Sequence, residues 1–250
     1  MEYIPEHMLN SYTLNGQIPV RQWFFNDAIE KTAITTWSNT YLQSFIDRFT
    51  FDNIINQNTG GEQYLHGANY HLNAILKYID NIKNKHVAVI GSQYPWIEAI
   101  LVNAGAKSIT TVEYNVPVCN HNIIKTISYD VFCMSTDKYD AIFSYSSIEH
   151  SGLGRYGDPL NPTGDIETMA HIYGKLNTNG YCFLGVPVGK DLLAWNACRI
   201  YGEKRLKLLL LDKFKEIEWI GCDRNYVHTE TNQPGSNPKW EMQPIIVLQK

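Results

Sequence analysis

The densest run of groups able to do chemistry is Ser144 to Asp165, SYSSIEHSGLGRYGDPLNPTGD, which holds Glu149, His150, Arg155, Tyr156, Asp158 and Asp165. Its glycines and prolines rule out one regular helix. A long polar loop leaving the end of a strand is where substrate-handling groups belong. His150 is the candidate general base, because imidazole titrates near neutral pH and can take a hydroxyl proton as that oxygen is alkylated. Tyr156 and Asp158 are the catalytic candidates that orient an acceptor. Arg155 is a candidate binder of phosphate or carboxylate, and Glu149 either contacts substrate or fixes the tautomer of His150. Glu149 and His150 are also metal-ligand types, with Asp158 or His171 as further donors. Adjacent ligands without a second well-spaced pair are not a metal signature, so no metal is expected.

A second constellation lies in HVAVIGSQYPWIEAILVNAGAKSITTVEYN, His86 to Asn115. The apolar run Val87 to Ile90 stops at Gly91. A helical pattern from Trp96 to Ala104 follows, closed by Gly105, and the β-branched run Ile109 to Val112 ends on Glu113. Strand, glycine turn, helix, strand and acid make the βαβ unit of a nucleoside-binding domain, with the acid about 20 residues after the turn. The cofactor-binding candidates are Gly91, Ser92 and Gln93 on the turn, Glu113 and Tyr114 after the second strand, Asp130 after the third and Ser144 on the fourth. The turn lacks the G-x-G-x-x-G that lets a pyrophosphate approach bare backbone. One glycine, two rings and a proline crowd a pyrophosphate, so S-adenosylmethionine, which has no phosphate, suits the turn better than NAD.

The elements that must position these groups alternate. Asn122 to Ser128 reads as a third strand, Tyr139 to Ser146 as a fourth, Asp165 to Leu176 as a helix closed by Asn177–Gly180, and Tyr181 to Val186 as a fifth strand. A helix-like stretch from Asp191 to Leu211 precedes two late strands, Phe214 to Gly221 and Pro244 to Leu248, joined by a polar loop with Pro234, Gly235 and Pro238. The order predicts an α/β fold, a mostly parallel sheet with helices on both faces and a closing strand pair at one edge. Residues 67–250 form this domain. Residues 1–66 form a helical, aromatic-rich N-terminal extension in which Trp37, Tyr41, Phe45 and Phe49 recur at helical spacing. That stripe predicts a face packed on the main domain, with a lid over the site as the rival expectation. Tyr64 and His66, just ahead of a helix from Ala68 to Ile82, are candidate substrate contacts.

A net charge of −4 argues against a basic nucleic-acid-binding surface. The five cysteines are odd in number and lack CxxC spacing, which fits a reducing compartment. The polar N-terminus MEYIPEHMLN and the shortness of every apolar run predict neither secretory signal nor membrane span. A cytoplasmic protein is expected.

The motifs VEYN (Val112 to Asn115), SSIEHSGLGRYGDPLNPTGD from Ser146, FLGVPVGKD from Phe183 and RIYGEKR from Arg199 resemble a methyltransferase-like family of uncharacterised proteins, first described as a nematode domain of unknown function. The strand order, Glu113 and the Ser146–His150 segment resemble class I S-adenosylmethionine-dependent methyltransferases more broadly. The resemblance spans roughly residues 86–219. It implies a Rossmann-like seven-stranded sheet binding S-adenosylmethionine at Gly91 and Glu113. The expected activity is methylation of an oxygen on a small polar acceptor, with a sugar or sugar-phosphate favoured. GSQYPW is poorer in glycine than such proteins usually carry, so a non-catalytic binding module on the same fold is the rival expectation.

Overall fold

The computed structural model describes residues 1–25, 27, 36–60, 65–230 and 242–250. Tyr64 and the loop holding Pro234, Gly235 and Pro238 lie outside the described residues. Helix α1 is Glu6–Tyr12, followed by strands β1 (Val20–Trp23) and β2 (Thr36–Trp37) and helices α2 (Asn39–Arg48), α3 (Phe51–Ile55) and α4 (Leu65–Lys77). The alternating part runs β3 (His86–Ile90), α5 (Trp96–Asn103), β4 (Ser108–Glu113), β5 (Val118–Cys119), β6 (Ile124–Ser128), α6 (Tyr129–Met134) and β7 (Tyr139–Tyr145). A 3₁₀ turn at Ile148–His150 leads to α7 (Gly164–Lys175) and β8 (Leu176–Gly185). Then come β9 (Leu192–Asn196), β10 (Cys198–Ile200), α8 (Glu203–Leu209), β11 (Lys215–Ile220) and β12 (Ile245–Gln249).

The main sheet has seven strands in the order β11-β12-β8-β7-β3-β4-β6. All neighbours from β6 to β8 are parallel, and β12 enters antiparallel between β8 and β11. This is the expected α/β sheet. Its strands alternate between two buried faces, as the period of 2 requires. Val87, Val89, Phe143, Phe183 and Val247 join one core with α2, α4 and α5 residues. Ala88, Ile90, Ile142, Leu184 and Leu248 join the other with α6, α7 and α8 residues. The chain runs outward from β3 through β4 to β6, then returns to β7 on the other side of β3. The switch point therefore lies between the carboxyl ends of β3 and β7, where ligands bind in open sheets.

Trp37, Phe45 and Phe49 of the aromatic stripe are buried in the first core beside Trp96. The N-terminal residues also build a second, three-stranded sheet, β1-β9-β10, in which β1 pairs in parallel with β9.

The helix expected over Asp191–Leu211 is not there. The first half is the β9–β10 hairpin, buried along its whole length, and only Glu203–Leu209 is helical. The carboxylate of Asp191 accepts from the amides of Gly202, Lys204 and Arg205 at 2.9, 3.0 and 3.0 Å. The helix cap thus comes from more than ten residues upstream, where no local capping pattern reveals it. Likewise Asn177–Gly180, expected to close α7, belongs to β8.

Candidate functional site

Gly91 leaves β3 with φ +75°, and a Cβ there would lie 1.8 Å from Ser147 Oγ. Only glycine allows this approach, which presses the turn after β3 against the segment after β7. The two sequence constellations therefore meet at Gly91 and Ser147.

Ser92 is buried beneath the turn. Its hydroxyl donates to Glu98 Oε2 at 2.9 Å, and Thr111 Oγ1 donates to Glu98 Oε1 at 2.7 Å. Glu98 has no solvent exposure. Burial pushes its carboxyl up to about 7, against the hydrogen bonds from Thr111 and Ser92. Glu113, at the end of β4, is also raised by burial, while the backbone amides of Ser92 and Tyr114 favour its charged form. The Tyr114 amide is 3.0 Å from Glu113 Oε2. Tyr114 is 52% exposed and stacks on Tyr129, with centroids 5.9 Å apart and planes at 18°. Gln93 is exposed on the turn and Asp130 on the first turn of α6. Ser144 does not open on the crevice: it is fully buried and donates to Ile90 O at 3.1 Å, tying β7 to β3.

The rings of GSQYPW pack on the core. Trp96 is 5% exposed and packs edge-on against His71 and Tyr145, at 5.0 and 5.6 Å. Tyr94 packs against the same core. Apolar rings at the helix start thus find their contacts on the helix's core face.

Glu98 yields a first prediction. In the unfolded chain it titrates near its ordinary 4.5, in the fold near 7. Between those values the fold holds a proton the unfolded chain has lost, so stability falls as pH rises, and the full cost stands above pH 7. Glu98→Gln keeps groups for both hydrogen bonds and removes that cost. It should stabilise the protein by roughly 3 kcal/mol at pH 8 and by nothing measurable at pH 4.5. Urea denaturation midpoints at the two pH values check this; an equal shift at both would refute a buried titrating acid.

On the other side, the 3₁₀ turn buries Ile148 and Glu149 and leaves His150 11% exposed. His150 Nδ1 lies 2.6 Å from Ala197 O. A carbonyl only accepts, so Nδ1 carries the hydrogen and Nε2 presents its lone pair. Nε2 is 3.7 Å from Glu149 Oε1. Burial and the charge of Arg155 press the imidazole down to about 3, Arg199 adds to this, and the bond to Ala197 opposes it. His150 is therefore a neutral, oriented acceptor.

The other candidates are placed less freely. Tyr156, 39% exposed, stands edge-on to His150 at 5.5 Å. Arg155 is committed: Nε donates to Asp27 Oδ2 at 2.7 Å, Nη1 to Ala197 O at 3.1 Å, and the guanidinium lies over Phe25 at 4.5 Å. It ties the loop to the N-terminal residues. Asp158 organises the loop, its carboxylate accepting from the amides of Gly152, Gly154 and Tyr156 at 2.7, 3.2 and 3.3 Å. His66 is exposed on the first turn of α4 and stacks on Tyr70 at 6.5 Å. Among the described residues no group of three His, Cys, Asp or Glu side chains is arranged to hold a metal, and no helix is long and apolar enough to cross a membrane.

Sequence reasoning missed what lies under the 3₁₀ turn. Asp165, where the predicted helix begins, is fully buried and takes two hydrogen bonds from Arg205 and one from Tyr201 Oη at 3.0 Å, with Arg199 Nε 3.6 Å away. Burial alone would raise this carboxyl, but Arg199 and Arg205 outweigh it and hold it below the usual range. Arg199 Nη1 also donates to Glu149 O and Ser151 O at 3.3 and 2.8 Å. The charged cluster thus fixes the backbone that carries Glu149 and His150. Both arginines and Tyr201 sit in RIYGEKR, the available signal.

Residues 84–248 match the family described as Caenorhabditis protein of unknown function, DUF268. The chain belongs to that family. No curated protein matches this DUF268 chain in sequence. Among solved structures, the N-methyltransferase NodS of Bradyrhizobium japonicum WM9 is similar with a TM-score of 0.52 at 12% identity, over 76% of this chain and 98% of NodS. NodS in complex with S-adenosyl-L-homocysteine gives 0.51 at 13% identity, over 85% and 98%. The 1,6-didemethyltoxoflavin-N1-methyltransferase of Burkholderia thailandensis, with its acceptor and S-adenosylhomocysteine bound, gives 0.52 at 12% identity, over 86% and 91%. The DUF268 chain therefore has the Rossmann-like fold that these methyltransferases share.

Proposed function

We propose that this DUF268 protein is an S-adenosylmethionine-dependent methyltransferase acting on an oxygen of a small polar acceptor, a sugar or sugar-phosphate by preference. The observation that carries this reading is the close approach of Gly91 to Ser147, which brings the turn after β3 beside the Glu149–His150 turn. The residues suit the cofactor. Glu113 offers a carboxylate for ribose hydroxyls, Tyr114 an exposed ring face for a base, and Asp130 an acceptor at the rim. The cofactor, when bound, supplies an electrophilic methyl group. The protein's part is to hold the acceptor oxygen in line, which is worth ~7–11 kcal/mol at best. His150 Nε2 accepts the hydroxyl hydrogen, and Glu149 at 3.7 Å offsets the charge that develops on the imidazole. Phe25 and Tyr156, both packed against Arg155, give the acceptor aromatic surface to lie against. The setting proposed is the cytoplasm, in keeping with five free cysteines.

Calorimetric titration with S-adenosylmethionine and S-adenosylhomocysteine tests the cofactor. Micromolar binding of both is expected, weakened at least tenfold in Glu113→Ala. Absence of binding by either compound would defeat the proposal. A non-catalytic binding module is the second reading, favoured by the low pKa of His150, about 3. Consumption of S-adenosylmethionine with any acceptor in a lysate, lost in Glu113→Ala, would eliminate it.

A further inference from the structure

At the amino ends of β1 and β9, whose other ends lead to Ala197 and His150, lies a cleft of about 420 Å³. That volume is in the range of small-molecule sites. Pro19, Val20 and Leu192 supply apolar lining, and Arg21, Lys190, Lys204, Asp191 and Glu230 supply the charge. The carboxylate of Asp191 is already occupied by three backbone amides of the α8 start. Glu230 is 79% exposed and paired with Lys190 at the surface. Among the described residues, neither Arg21 nor Lys204 has a carboxylate within ion-pair distance. Arg21 Nη1 is moreover buried without any hydrogen-bond acceptor. In a chain of net charge −4, this is a local excess of cations.

We propose that the cleft binds a small organic phosphomonoester. The phosphate lies against Arg21 and Lys204, and the carbon skeleton lies along Pro19, Val20 and Leu192. The planar fork of a guanidinium with no carboxylate partner matches two oxygens of one phosphate. The lysines add point charges at the open side. The assignment does not depend on methyl transfer, since none of these residues belongs to the Gly91–His150 crevice.

Calorimetry on the full chain, with glucose 6-phosphate and with inorganic phosphate at one ionic strength set by sodium chloride, tests it. Saturable binding of the sugar phosphate is expected, at least threefold tighter than that of inorganic phosphate. Arg21→Gln and Lys204→Gln should each weaken it at least tenfold, and Lys107→Gln, on the exposed turn before β4, should not. Lys204 is exposed on α8, so its variant keeps the fold even if Arg21→Gln does not. Absence of saturable heat, equal affinity for both probes, or full affinity in Lys204→Gln would each overturn the assignment.

Discussion

Replacing Asp165 with alanine should destabilise the protein by about 3–5 kcal/mol, the usual cost of breaking a buried ion pair by removing one partner. Asp165 has no solvent exposure, and Arg199 and Arg205 beside it are 4% and 2% exposed. Without the carboxylate, two guanidiniums remain in the interior with Tyr201 as a neutral neighbour. Neither can shed its charge, because arginine stays protonated throughout the working pH range. Asp165→Asn should fall in the same direction, since it keeps the shape and loses the charge. The measurement is the urea midpoint and slope of each variant, and an unchanged midpoint in both would refute the cluster as a stabilising unit. The pH dependence follows from the lowered carboxyl. Its contribution is present above the ordinary 3.8 of an aspartate and is lost as pH falls through the folded value.

The βαβ unit was legible in the sequence because its signals are local. Val87–Ile90 alternate between two cores, Gly91 ends the strand, and Glu113 follows at the spacing a ribose-binding acid needs. Ser144 to His150 was legible for the same reason, as a strand running into a polar turn. The segment 191–211 was not. β9 finds its partner in β1, roughly 170 residues away in sequence, and the cap of α8 comes from Asp191. The protein partners of Arg155 and Asp158 were not legible for a related reason. A sequence shows which side chains can bind a ligand, but not which backbone amides or carbonyls already hold them. Ala197, whose carbonyl holds both His150 and Arg155, has no functional side chain to notice.

That carbonyl decides how His150 should behave. In the methyltransferase reading, His150→Ala should lower turnover 10²- to 10⁴-fold, the usual share of a positioned base, while S-adenosylmethionine binds as in the wild type. Equal loss of binding and turnover would instead make His150 part of the cofactor site. The pH profile separates a base from a merely packed ring. With the imidazole pressed to about 3, the catalytic lone pair stays free at mildly acidic pH, so turnover should be flat from pH 8 down to 5. An ordinary histidine would lose activity below about 6.5. Stability moves the other way in the same window. His71, wholly buried, is pressed to about 4 by desolvation. Below pH 6.5 the unfolded chain takes up protons on His71 and His150 that the fold refuses until about 4 and about 3. The contribution of these two histidines therefore falls as pH drops across that range, and it outweighs the opposite contribution of the single carboxyl of Glu98. Rate per folded molecule should stay level while the folded fraction declines, and circular dichroism recorded alongside each rate distinguishes the two. An acid limb near pH 6.5 in fully folded protein would show that Nε2 is exposed to water, and that burial and Arg155 do not set its charge.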